Sequence, residues 1–131
     1  MTDEQTTIGE LKQRVLNFSR ERDWEQFHHP NDLGLALACE VGEVLEHFRY
    51  RTHEEIRAAL ADPSMTRALG HELADCLWLL LRLADVCSID LSTALGEKLV
   101  LAGQKYPIEK VYGRPDKYTH YRESGTDRAD G

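Results

Sequence analysis

The chain has 131 residues, with 16 Lys and Arg against 23 Asp and Glu, for a net charge of −7. That length predicts one domain over residues 1–131 with a real core, and the acidity argues against a nucleic-acid partner held by phosphate neutralisation. No apolar run approaches the roughly 20 residues of a membrane span, so no membrane partner is expected, and the N-terminus lacks the basic and apolar regions of a secretory signal.

Residues 1–6 are polar and expected to be flexible. Ile8, Leu11, Val15 and Phe18 then recur at helical spacing, predicting a first helix over about 7–20. The following RERDWEQFHHP mixes charges, aromatics and histidines and reads as an ordered connection. Asn31 or Asp32 is expected to cap a helix running to about Tyr50, whose apolar stripe contains Leu33, Leu37, Val41, Val44, Leu45 and Phe48. Thr52 and Glu55 have capping-box spacing for a short helix over 53–61, which Asp62-Pro63-Ser64 should break. The longest helix is predicted over about 66–87. Its CLWLLL segment (76–81) is apolar on every side, which implies burial all round by other helices or a second subunit. After a turn at 88–90, a last helix spans about 91–105 and stops at Pro107. From Ile108 on, an irregular tail with a flexible end over 119–131 is expected. No stretch alternates as a strand would. The fold class is therefore all-α: an antiparallel bundle of four main helices plus a short helix.

Cys39, Cys76 and Cys87 sit in apolar helical patterns without CxxC spacing, so they read as small buried hydrophobes in a reducing, cytoplasmic setting. Charged helical residues usually form a solvated face. Two motifs depart from that: E-x-x-E (Glu40, Glu43) and E-x-x-D (Glu72, Asp75) put carboxylate pairs beside strongly apolar surface on two separate helices. No basic residues on those helices match them. Antiparallel packing would bring the pairs together, and all-oxygen ligation suits Mg²⁺ or Mn²⁺ rather than structural zinc. Gly42 between the two glutamates suggests close approach of a backbone or ligand there. Glu46, Glu54 and Glu55 read as surface charges.

Trp24, Glu25, Gln26, Phe27 and His28 combine stacking surface with hydrogen-bonding groups, as a flat heterocycle requires, although aromatics at a helix junction are more often core. Tyr50 is a further stacking group or a surface tyrosine. Lys98 could meet a phosphate or be solvated, and Lys105 and Arg114 read as solvated. His29, His53, His71 and His120 form no usable pattern. Glycine-rich phosphate loops are absent, so phosphates would be held through metal.

ERDWEQFHHP, LALACEVGEVLEHF, HELADCLWLLL and IDLSTALGEKL with QKYP together resemble the MazG-like all-α nucleoside triphosphate pyrophosphatases, the dCTP pyrophosphatase branch above all, over residues 8–118. The resemblance implies Mg²⁺ ligands at Glu40, Glu43, Glu72 and Asp75, and catalytic duty for Glu40 and Glu43. It implies nucleotide contacts at Trp24 to His28, Tyr50, Leu79 and Lys98, and a homo-oligomer, tetramer or dimer. It departs from the animal dCTP enzymes at Val15 (histidine there), Leu79 (tyrosine) and Ala102 (asparagine). The expected reaction is Mg²⁺-dependent hydrolysis of dCTP or a modified dCTP to the monophosphate and pyrophosphate. The alternatives are a house-cleaning pyrophosphatase for another nucleoside triphosphate and a non-catalytic nucleotide-binding module.

Overall fold

The computed structural model describes residues 1–116 and Thr119; the expected flexible end beyond them lies outside the described residues. Helices α1 (Ile8–Arg20), α2 (Pro30–Glu46), α3 (His53–Leu60), α4 (Pro63–Val86), α5 (Leu91–Lys105) and α6 (Ile108–Val111) follow in order, and no strand occurs among the described residues. Met1–Asp90 forms one compact unit, and the chain from Leu91 onward forms a second. The second unit's described helices are α5 and the four-residue α6, which lies where an irregular tail was expected.

Local chemistry sets the helix ends. Thr7 and Glu10 satisfy each other's free backbone N–H groups at the start of α1, and Thr52 and Glu55 do the same for α3, as the T-x-x-E spacing predicts. Helix α2 begins earlier than expected. Pro30 is its first residue, with His29 at the cap position and no side-chain cap. Proline's fixed φ and missing N–H suit that first position, so Asn31 and Asp32 fall inside the helix rather than capping it. The break expected at Asp62-Pro63-Ser64 does separate α3 from α4, but α4 opens at Pro63 rather than at about 66: Asp62 caps it, accepting from the Ser64 N–H at 2.9 Å and its hydroxyl at 2.8 Å. Helix α2 also ends at Glu46, and turns carry the chain through Tyr50, whose φ of +61° is left-handed.

In the first unit, α2 packs chiefly on α4, with α1 and α3 also against α4. The two long helices are antiparallel. His28 just before α2 meets Arg82, Glu40 meets Glu72 and Asp75, and Phe48 beyond α2 lines the same small pocket as Leu69. Leu33, Leu79, Leu81 and Ala84 form the buried core. Lys12 Nζ donates to the Ile89 carbonyl at 2.9 Å and ties α1 to the end of α4.

Within the single chain, other helices do not bury CLWLLL all round, which leaves the second-subunit alternative, and the expected burial of the cysteines fails. Of the CLWLLL segment only Leu79 and Leu81 are buried, whereas Leu77 and Leu80 face outward, because neighbouring helices cover only one side of α4. Cys39 and Cys87 are exposed and Cys76 is half-buried, all three as free thiols. Cys39 shares the uncovered side of α2 with Leu35 one turn earlier, and Cys87 sits in the turn after α4.

Candidate metal centre and the adjoining depression

On α4, Glu72 and Asp75 are three residues apart, so the helix presents both on one side; Glu40 faces them from α2. One carboxylate oxygen from each of these three residues lies within 4.8 Å of the others. Among the described residues none of them forms an ion pair with a lysine or arginine. Partial burial raises the proton affinity of Glu40 above the ordinary carboxylate range, and the charges of Asp75, Glu72 and Glu43 raise it further. Glu43 stands one turn further along α2, exposed, and outside the three-oxygen group. Its charge reaches Glu40 all the same.

The donor set fits a hard divalent cation. Oxygen ligands at 2.0–2.1 Å in an octahedron stand up to about 4.2 Å apart, so small side-chain rotations close a group of this size. Three clustered carboxylates without a cationic partner also repel one another, which a cation reverses. Gly42 lies between the two glutamates of α2, yet a Cβ there would meet nothing within 4 Å; among the described residues none makes the close approach its sequence suggested.

Asp75 has a second role. With Arg14, Val15 and Phe18 of α1, Trp24 of the connection and Trp78 of α4, it lines an open depression of about 480 Å³. Phe18 has three ring or cation neighbours here. The Trp24 ring stands edge-on to Phe18 at 5.9 Å and the Trp78 ring at 6.3 Å, while the Arg22 guanidinium lies 3.6 Å over the Phe18 ring. The same depression therefore offers flat apolar surface beside a carboxylate of the candidate metal centre.

The remaining expected contacts are placed as follows. Glu25 pairs with Arg20 at 3.0 Å, and Gln26 donates to the Asp23 carbonyl and carboxylate at 3.0 and 2.8 Å, so both brace the 3-10 turn Glu25–Phe27. Phe27 is exposed and does not line the depression. Tyr50 is 93 % exposed, with Arg49 against its ring at 5.0 Å. Leu79 is only 5 % exposed, a core residue that is not part of the depression's lining. Lys98 lies on α5 of the second unit and is exposed.

His28 is half-buried and edge-on to Trp78 at 6.3 Å. Burial and the positive charge of Arg82 lower its proton affinity, against a smaller opposite pull from Glu25. Arg82 itself, only 2 % exposed, went unremarked in the sequence. A lone arginine in the apolar run LLLRLADV is the signal that could have marked it. Arg14, Phe18 and Trp78 were also missed as lining residues, since only packing of α1 on α4 brings them together.

No protein-family model matches the chain. It is 39 % identical over 113 residues to dCTP pyrophosphatase 1 of Rattus norvegicus, covering 86 % of this chain and 66 % of that protein. With the Bos taurus protein of the same name it shares 38 % over 120 residues, 92 % of this chain and 71 % of the relative. The chain thus spans about two thirds of the length of these curated relatives. A crystal structure of a pyrophosphatase from Archaeoglobus fulgidus superposes with a TM-score of 0.71 at 32 % identity, over 76 % of this chain and 92 % of that one. Helical architecture, paired acidic motifs and sequence identity agree: the chain belongs to the all-α nucleoside triphosphate pyrophosphatases, in the group that includes the dCTP pyrophosphatases.

Proposed function

We propose that the protein hydrolyses the bond between the α- and β-phosphates of a nucleoside triphosphate, with dCTP or a modified dCTP as substrate. One observation carries this reading: three carboxylates without a basic partner converge from two helices, and one of them, Asp75, also lines an aromatic depression. Glu40, Glu72 and Asp75 would hold a divalent cation, Mg²⁺ or Mn²⁺ by their hard oxygen donors. Such a cation supplies neutralisation of the triphosphate oxygens, without which a bare triphosphate is repelled by the cluster. Glu43, exposed and outside the three-oxygen group, is the base that orients a water and takes its proton, with Glu40 as the other candidate. The water oxygen bonds to the α-phosphorus as the bond from that phosphorus to the bridging oxygen breaks, and pyrophosphate leaves. Phe18, Trp24 and Trp78 supply the flat surfaces for the base. Tyr50 and Lys98 would act from a neighbouring subunit of a dimer or tetramer. The setting is the reducing cytoplasm, in keeping with three free cysteines.

A second reading within the same chemistry is another nucleoside triphosphate. Val15 favours it, because it leaves that part of the depression without a hydrogen-bonding side chain to select a base. The test is incubation with dCTP and Mg²⁺, with and without EDTA, and identification of the products. EDTA-sensitive dCMP and pyrophosphate are expected. Appearance of dCDP and phosphate would refute attack at the α-phosphorus. A clear preference for another triphosphate would select the second reading, and silence across a full panel, with tight binding, a non-catalytic module.

A further inference from the structure

Beneath the aromatic depression lies a polar network that the proposed chemistry does not use. Arg82 is almost wholly buried in α4, between core residues Leu81 and Ala84. Its Nη1 donates to Asp85 Oδ2 at 2.6 Å, and its Nε donates to His28 Nδ1 at 3.1 Å. Arginine carries only donors and stays charged, so the shared hydrogen must come from Nε. His28 Nδ1 is therefore an unprotonated acceptor, and the one ring proton of neutral His28 sits on Nε2. The groups that face His28 are Arg82, with Asp85 behind it, and Glu25 on the connection before it. The ring held in this way stands at 84° to Trp78, which in turn stands at 87° to Phe18. Trp78 thus stands edge-on to two rings, the imidazole held by Arg82 and the Phe18 ring that lines the depression.

From this geometry we infer that Arg82 is a positioning residue: by fixing the tautomer and orientation of His28, it sets Trp78 and with it the nucleotide-base wall beside Asp75. The fork of Nε and Nη1 reaches two partners at fixed angles, one on α4 and one on the connection before α2. Lysine has no such fork and cannot replace it. Asp85, half-buried and bonded to the fork, keeps the guanidinium from rotating away from His28. The role of the wall rests on the nucleotide reading proposed above; the state of His28 does not.

The experiment compares the wild-type chain of 131 residues with Arg82→Met and Arg82→Lys. Heteronuclear NMR reads the His28 tautomer, its titration and the Trp78 indole N–H, and steady-state kinetics with dCTP and Mg²⁺ reads KM and kcat. Expected in the wild type is His28 with its proton on Nε2 and a proton affinity below that of free histidine. Both variants should lose that single tautomer and shift the Trp78 indole resonance, and Arg82→Met should raise the His28 proton affinity. KM should rise about fivefold or more while kcat stays within about threefold, the signature of lost ground-state positioning with the carboxylates intact. If Arg82→Met fails to fold, Arg82→Lys and the wild-type spectrum decide. A wild-type His28 protonated on Nδ1, or an unchanged KM in a folded variant, would overturn the inference. A wild type without turnover on any triphosphate would sink the pyrophosphatase reading instead, and the His28 and Trp78 resonances would then decide this one alone.

Discussion

Glu40 and Glu43 differ by one helical turn and by everything that matters to their chemistry. Glu40 has its oxygen within reach of Glu72 and Asp75, and burial with their charges makes it hold its proton more tightly than a free carboxylate. Glu43 is exposed and outside that group. Two outcomes follow from the difference. Glu40→Gln should raise the melting temperature of the protein in EDTA, because one of the mutually repelling charges is gone, and should abolish the stabilisation that the proposed Mg²⁺ site is expected to give the wild type. Glu43→Gln should keep the Mg²⁺-induced shift and lose turnover by about 100-fold or more, the scale of a missing general base. Thermal melts with EDTA and with Mg²⁺, beside kcat at saturating dCTP, separate the two roles. Equal loss of the Mg²⁺ shift in both variants would make Glu43 a ligand. Gly42 between them is a separate case. A Cβ there meets nothing among the described residues, so Gly42→Ala should stabilise α2 by roughly 0.5–1 kcal/mol in urea unfolding. Activity lost without stability lost would place a ligand or partner against that glycine.

At the scale of the element, caps decide where the helices start. Thr52→Ala removes the side-chain acceptor of the α3 capping box and should cost about 1 kcal/mol, read by urea unfolding at neutral pH. Two other caps titrate. The Thr7 backbone N–H and then its hydroxyl hold Glu10 below its ordinary 4.5, and the Ser64 N–H and then its hydroxyl hold Asp62 below its ordinary 3.8. A depressed carboxylate binds fewer protons folded than unfolded, so its contribution is complete above the ordinary value and is lost as pH falls through the folded one. Melting temperatures between pH 5 and pH 3 should therefore fall more steeply for the wild type than for Asp62→Asn, which still caps but cannot titrate. Parallel curves would mean that the Ser64 bonds contribute no pH dependence. Pro30 and Pro63 show the limit of pattern reading at this scale. Each follows a residue that looks like the end of something, and each opens a long helix because its backbone fits the first helical position.

For the whole molecule, the apolar surface that one chain leaves uncovered is the main unexplained quantity. Leu35, Leu45 and Leu77 on the first unit are exposed, and so are Leu95, Leu99 and Val100 on the second. Large apolar surface of this kind marks contact with another molecule, and a homo-oligomer is the occupant proposed here. Light scattering after gel filtration at micromolar concentration should give a dimer or tetramer mass; a monomer would remove Tyr50 and Lys98 from the proposed site.

The amino-acid sequence by itself determined the helical architecture and the identity of the acidic motifs. Both rest on local regularities, the 3.6-residue period and the chemistry of a capping threonine, which act within a few residues of the chain. Family membership was legible for a similar reason, in short runs such as ERDWEQFHHP and HELADC. Tertiary structure alone decided which carboxylates meet, since the rotation of α2 on α4 brings Glu40, but not Glu43, to Glu72 and Asp75. It also decided that Leu79 belongs to the core and that Arg14, Phe18 and Trp78 share a depression with Trp24. The burial of Arg82 against His28, residues 54 apart in the chain, belongs to the same class. A helix's period says which residues share its face, but only the packing of one face on another says which of them touch.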